Sequence, residues 1–329
     1  MFRQRRTLAT ALGLLAGAGI APRAVAQPAA DYPTRPVRII VPFAPGGATD
    51  VLARLIGGKL AEAWGQQVVV ENKPGAGGNI GAEAGARATA DGHTLTLCAA
   101  GFMAVNPSLY PKLPYDPVRD FAPVALLVKA PLLLVVNPAV PARSTRELVE
   151  WARANPGRLT IGNGGQGTAQ HLGGELFTAA AGIRAVHLPY KGSAPATTDL
   201  LAGVFDAQFD NMVTLLPHVK SGRLRALGVS SSARVPVLPE VPTIAESALP
   251  GFETGTWYGI VAPAATPVPV LDRLNREVAR IVALPDVAER LQAMGLLPAV
   301  GPRAVFGEFI RSEIAQYGKL IRSAGIRLD

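Results

Sequence analysis

Few side chains in this sequence could do chemistry, and their spacing builds none of the common reactive centres. The four histidines are His93, His171, His187 and His218; no two are close along the chain, and no His-Glu-x-x-His run occurs. Cys98 is the single cysteine, which excludes a thiolate metal site and an internal disulfide. His171 and Glu175 stand four residues apart on an expected helix, a spacing that serves a solvated or capping contact far more often than half of a metal site. Neither a Gly-x-Ser-x-Gly elbow nor a Gly-x4-Gly-Lys-Ser/Thr cradle is present. Gly162-x-Gly164-x-x-Gly167 has the dinucleotide spacing, but the following strand ends His187-Leu-Pro-Tyr190-Lys191, without the acid that would hold a ribose. Asp50 could serve as a base. It falls in the first turn of an expected helix, however, where free N–H groups keep a carboxylate ionised.

What remains is main-chain chemistry. Val37–Val41 is short, apolar and β-branched and reads as a buried parallel strand. Pro42, Pro45 and the pair Gly46-Gly47 break it. Thr49 is placed to cap a helix beginning near Asp50, whose Leu52, Leu55, Ile56, Leu60 and Ala63 share one face. A strand, a glycine-rich turn and a helix start together aim unpaired N–H groups and the positive end of a helix dipole at one point, which suits an anion. Similar turns follow an expected strand at 67–71, as Asn72-Lys-Pro-Gly75-Ala-Gly77-Gly78-Asn79, and one at 159–161, as Gly162 to Thr168. The 94–98 strand runs into Ala99-Ala100-Gly101, the 185–188 strand into Pro189-Tyr190-Lys191-Gly192-Ser193, and the 207–209 strand into Asp210-Asn211. Asp210 and Asn211 would either line a cleft or simply turn the chain. Tyr190-Lys191-Gly192 would form another cleft loop, although an exposed loop lysine is the slightly favoured reading of Lys191.

Alternating strands and helices imply α/β domains with parallel-rich sheets and a ligand outside the carboxyl ends of the strands. The apolar runs 124–129 and 132–136, separated by Ala130-Pro131, read as a first crossing into a second domain. Residues 259–261 read as the return. Ser144-x-x-Glu147 is a capping-box pattern, and two long amphipathic helices close the chain. The expected division is 27–127 with 255–329 in domain I, and 128–254 in domain II.

With 329 residues, 49% hydrophobic and 17% charged, the chain can form a substantial core in two domains. Residues 1–26 have the form of an export signal: Arg3, Arg5 and Arg6, an apolar core at 8–20, and Ala24-Val25-Ala26 as the cleavage site. Arg5-Arg6 leaves the twin-arginine and general routes both open. Four charges of the net +8 lie in that leader, on Arg3, Arg5, Arg6 and Arg23. No cluster of basic and aromatic residues points to nucleic acid.

Beyond these single features, an ordered series of motifs resembles the solute-binding proteins of the tripartite tricarboxylate transporter group, the Bug or TctC-like family. The series is Pro42-Phe-Ala-Pro-Gly-Gly-Ala-Thr-Asp50, Glu71-Asn-Lys-Pro-Gly-Ala-Gly-Gly-Asn-Ile-Gly81, Ala90-Asp-Gly-His-Thr-Leu95, Leu113-Pro-Tyr-Asp-Pro117, Pro189-Tyr-Lys-Gly192, Leu224-Arg-Ala-Leu-Gly-Val229, Leu238-Pro-Glu-Val-Pro-Thr243 and Pro250-Gly-Phe-Glu253. It spans nearly all of the chain after the leader. The resemblance implies an α/β two-domain periplasmic binding protein, a Venus flytrap, with a carboxylate held in the interdomain cleft mainly by backbone N–H groups. It implies delivery to a membrane permease with two integral subunits, no catalysis, and neither cofactor nor metal. Carried over by position, Phe43, Ala44, Gly47, Ala48, Thr49 and Asp50 would form the first-domain loop, with Asn79, Ala100 and Gly101 beside it. Gln166, Gly167, Thr168 and His171 would face them, with Asp210 and Asn211 at the floor. Asn163-Gly164-Gly165-Gln166 stands where many relatives carry a serine-containing turn. The alternatives are a ligand-sensing module for a periplasm-facing histidine kinase and, further off, an exported α/β enzyme.

Overall fold

The computed structural model describes residues 32–326. The leader and its cleavage site lie outside them. Five elements build the first half of lobe I: β1 (Val37–Val41), α1 (Ala48–Trp64), β2 (Val68–Asn72), α2 (Asn79–Ala86) and β3 (Thr94–Ala99). A π-helical turn at Gly101–Val105 and the short α3 (Asn106–Leu109) follow. β4 (Phe121–Val136) then carries the chain into lobe II. There α4 (Thr145–Ala154), β5 (Leu159–Asn163), α5 (Ala169–Ala181), β6 (Ala185–Pro189) and α6 (Ser193–Leu201) precede β7 (Ala207–Asn211), α7 (Met212–Lys220), β8 (Arg225–Val229) and α8 (Ile244–Ser247). β9 (Gly255–Pro263) returns to lobe I. The chain finishes with α9 (Val268–Val282), α10 (Pro285–Ala293), β10 (Leu297–Pro298) and α11 (Arg303–Ala324).

A single ten-stranded sheet runs through both lobes in the order β2-β1-β3-β9-β4-β7-β5-β6, with β8 and β10 also paired to β4. β1 pairs in parallel with β2 and β3, and β5 in parallel with β6 and β7, while every pairing of β4 and β9 is antiparallel. The parallel-rich reading therefore holds for the outer strands of each lobe only. The two apolar runs expected on either side of Ala130-Pro131 are one unbroken strand. Its partners change from β9, up to Pro131 opposite Gly255, to β7, from Leu132 opposite Asn211. This change lies a few residues past the 127/128 division read from the sequence.

Period-two alternation explains how β4 serves lobe II. Leu132, Leu134 and Val136 enter one core, with Phe177 and Phe209, while Leu133 and Val135 enter another, with Leu200 and Leu215. Burial on both faces is why the run reads as continuously apolar. Lobe I has its own core. There the buried face of α1 (Leu52, Ala53, Ile56, Leu60) packs on Ile39 and Leu97, and α9 contributes Leu271, Leu274 and Val278. Ser230, just after β8, ties the two crossings together. Its hydroxyl accepts from Leu132 N at 2.8 Å and donates to Thr254 O, and its own N–H reaches Leu132 O at 2.9 Å.

Two helix ends in lobe II differ from expectation. Ser144 caps α4 by accepting from Glu147 N at 3.2 Å, but the Glu147 carboxylate turns to Arg143 N instead of closing the box. A complete capping box occurs at Thr243 and Glu246, where the sequence suggested no helix.

Candidate functional site

The carboxyl ends of β1, β3, β5, β6 and β7 all open on the gap between the lobes, and the loops leaving them form its walls. At the end of β1, Asp50 bends back on the glycine turn instead of facing the gap. Its Oδ2 accepts from Gly46 N and Arg54 Nε, each at 3.0 Å, and its Oδ1 from Arg54 Nη2 at 2.9 Å and Asn72 Nδ2 at 3.0 Å. Asn72 Nδ2 also donates to Phe43 O at 3.0 Å. Burial alone would raise the Asp50 pKa, but these hydrogen bonds together bring it below the usual carboxylate range. Asp50 is thus the clamp that shapes the loop.

Thr49 does not cap α1. The N-cap is Gly47, in extended conformation, and no side chain caps the helix. The first N–H groups of α1 have no intrahelical partner and stay open to the gap. α6 repeats this arrangement with Gly192 as an N-cap that lends no side chain. α5 starts at Thr168, whose hydroxyl accepts from His171 N at 3.2 Å and donates to Gly165 O at 2.7 Å. α7 starts at Asn211, whose Oδ1 accepts from Val213 N at 3.1 Å.

These four helix starts meet at one narrow cavity of about 20 Å³. Gly47, Ala48 and Thr49 line it from α1, Thr168, Ala169 and Gln170 from α5, Gly192 and Ser193 from α6, and Asn211 from α7. Phe43, Ala99, Gly101 and Gly164 complete the walls, and β9 adds Thr256 and Tyr258. No lysine, arginine, histidine, aspartate or glutamate is part of that lining. Positive potential comes from aligned peptide dipoles and open N–H groups. Burial, and then the nearby Asp210, push the Tyr258 phenol far above its usual range, so it remains a neutral hydroxyl. A wider groove of about 370 Å³ lies between Leu176, Leu249, Phe252 and Leu320. No helix start faces it, and only Glu253 brings a charge.

Behind the lobe II wall sits Asp210, fully buried. Its Oδ1 accepts from Ser193 Oγ at 2.8 Å, Gln170 Nε2 at 3.2 Å, and Asn211 N and Nδ2, each at 2.7 Å; its Oδ2 accepts from Gln208 Nε2 at 2.9 Å. Burial raises its pKa and these donors oppose the rise. Every polar neighbour aims a hydrogen at it, which is the environment of a carboxylate rather than of an acid with a proton to donate.

Of the residues singled out in the sequence, Phe43, Gly47, Ala48, Thr49, Gly101, Thr168 and Asn211 line the cavity. The others do not. Ala44 N donates to Lys191 O of the opposite lobe at 3.1 Å. Asn79 Oδ1 accepts from Asn106 Nδ2 at 2.7 Å and Tyr115 hydroxyl at 2.8 Å, as a bolt beneath the second glycine turn. Ala100 is buried in the lobe I core. Gln166 O accepts from the Tyr110 hydroxyl at 3.3 Å across the lobe boundary, and Gly167 N donates to His171 Nδ1 at 3.4 Å. His171 also meets His187, distant in sequence, with ring centroids 6.0 Å apart, and Glu175 Oε1 is 3.6 Å from Nε2 of each. Burial depresses both imidazoles to about 4, with His187 adding to the effect on His171. Both are neutral packing groups. Among the described residues no cluster suits a metal ion.

Sequence reasoning passed over Ala99, Gly164, Ala169, Gln170, Gly192, Ser193, Thr256 and Tyr258 as site residues. The 189–193 turn did suggest a cleft loop, but through Tyr190 and Lys191. Tyr190 instead bonds Asp199 at 2.8 Å, and it is Gly192 and Ser193, further along the turn, that face the cavity. Thr256 and Tyr258, two apart on β9, carried a period-two signal that the apolar strand around them concealed.

Two α/β lobes sharing a sheet, with helix starts converging on the cleft between them, form the two-lobed architecture of solute-binding receptors. The chain belongs to the tripartite tricarboxylate transporter family of receptors, whose family model matches residues 52–326. BugT of Bordetella pertussis is 39% identical over 322 residues, covering 97% of this chain and 99% of BugT. Three solved structures share the fold. The periplasmic binding protein BugD superposes with a TM-score of 0.87 at 37% identity, over 90% of this chain and 99% of its own. An R. palustris protein solved with adipate gives 0.88 at 38%, over 90% and 99%. MatC of Rhodopseudomonas palustris, with bound malate, gives 0.84 at 34%, over 88% and 100%.

Proposed function

We propose that this protein is exported to the periplasm, its leader cleaved after Ala26, and that it captures a small mono- or dicarboxylate between its lobes and delivers it to a tripartite tricarboxylate-type permease. The convergence of four helix starts on a cavity without a charged side chain carries this reading. In such a site the anion is held by peptide N–H groups from both lobes, with hydroxyls of Thr49, Thr256 and Tyr258 beside them. The dicarboxylates adipate and malate in two related proteins support the ligand class, and the periplasmic character of BugD supports the compartment. The residues proposed to touch the ligand are those of the cavity wall, with Asp50, Asn79 and Asp210 as supports.

Calorimetric titration of the protein against aliphatic mono- and dicarboxylates, amino acids and uncharged analogues tests it. Binding of at least one carboxylate, and of no matching amide, is expected. Tight binding of a neutral or cationic compound with no carboxylate bound would overturn it.

A further inference from the structure

Resting on the carboxylate reading, we infer that the natural ligand carries a hydrogen-bond-donating substituent, a hydroxyl or an ammonium, near a carboxylate, and that Ser193 receives it. The inference comes from where the hydrogens of the lobe II wall go. The Ser193 hydroxyl has one hydrogen, and Asp210 takes it at 2.8 Å. Gln170 turns one N–H of its amide to the same carboxylate. With its single hydrogen drawn backwards, the Ser193 hydroxyl has only oxygen lone pairs left for the cavity it lines. Asn211 turns one N–H of its amide to Asp210, and its carbonyl accepts from Val213 N.

A carboxylate set against Ser193 Oγ would place oxygen against oxygen, with the buried Asp210 charge behind it. The carboxylate therefore belongs over the open N–H groups at the helix starts. A hydrogen from the ligand satisfies the remaining lone pairs. Asp210 acts here as a positioning residue: it touches no ligand and decides which way the wall hydrogens point. A site built to receive a donor discriminates against the analogue that lacks one, because its own acceptor is then left unpaired.

Matched pairs test this by calorimetry on the full mature chain: propionate with lactate and alanine, succinate with malate and aspartate, adipate with 2-aminoadipate. In whichever length binds, the substituted member should bind about tenfold or more tighter. Ser193→Ala should remove most of that advantage, weakening the substituted member by clearly more than the unsubstituted one. Asp210→Asn, which frees the wall hydrogens, should shrink the same ratio, and thermal melting checks that it folds. If succinate or adipate binds as tightly as its substituted partner, or if Ser193→Ala weakens both members equally, the inference fails while the carboxylate reading stands. If no acid of any length binds, both fail.

Discussion

Gly77→Ala would separate the closed arrangement of the lobes from the stability of the chain. Gly77 has φ +61, and a Cβ built there would lie 2.0 Å from Gln166 O, a backbone atom of the opposite lobe. Ordinary carbon–oxygen contact is about 3.3 Å, so roughly 1.3 Å of clearance must come from parting the lobes. Gly65 has nearly the same backbone, φ +63, and a Cβ added there would meet nothing within 4 Å. Each substitution should cost about 1 kcal/mol of stability from the left-handed conformation. Only Gly77→Ala should also penalise closure, because the contacts beside it, Tyr110 hydroxyl to Gln166 O and Ala44 N to Lys191 O, are lost as the lobes part. Loss of about 1.4 kcal/mol from the closed state is a tenfold weaker apparent affinity. Urea melts and calorimetry on the two variants, with small-angle scattering to follow the ligand-induced change in radius, read out both effects. Equal affinities for Gly77→Ala and Gly65→Ala would refute the reasoning.

Ser230→Ala should lower stability by about 1–3 kcal/mol, seen as a shifted urea midpoint, because it orphans Leu132 N and Thr254 O at the lobe crossings. The buried imidazoles predict a particular pH limb. His171 and His187 titrate near 4 when folded and near 6.5 when unfolded, so the unfolded chain takes their protons first, and stability is full above about 6.5 and declines as pH falls toward 4. His187→Phe should make that decline shallower in denaturant titrations between pH 7 and 4. Ligand affinity should change less than about threefold between low and high salt, since the cavity is lined by dipoles and not by mobile cations; a steep salt dependence in calorimetry would count against the dipole account.

The sequence carried the glycine turns clearly, because a broken apolar strand followed by a helix start is a local signal. It carried less of what the turns do. Thr49 has the right chemistry for a cap and sits two residues too far along, so the helix begins uncapped at Gly47. Asp50, Asn79 and Asp210 were legible as polar residues at strand or helix ends, but which way each side chain turns depends on Asn72, Asn106 and Ser193, which the chain brings in from elsewhere, as well as on Arg54 one turn along α1. The meeting of His171 with His187 has no sequence-local trace at all. Thr256 and Tyr258 became part of the wall only because β9 lies between β3 and β4.

Pro131 and Gly255 face one another as the last partners of an antiparallel pair before the chain leaves lobe I. Everything from 132 to 254 therefore departs and returns at neighbouring points, as a long excursion at the tip of a hairpin. Most of the lobe I core lies outside that excursion, which lends it Ala169 and Leu172 of α5. The receptor is in this sense one small α/β unit whose hairpin tip has grown into a jaw.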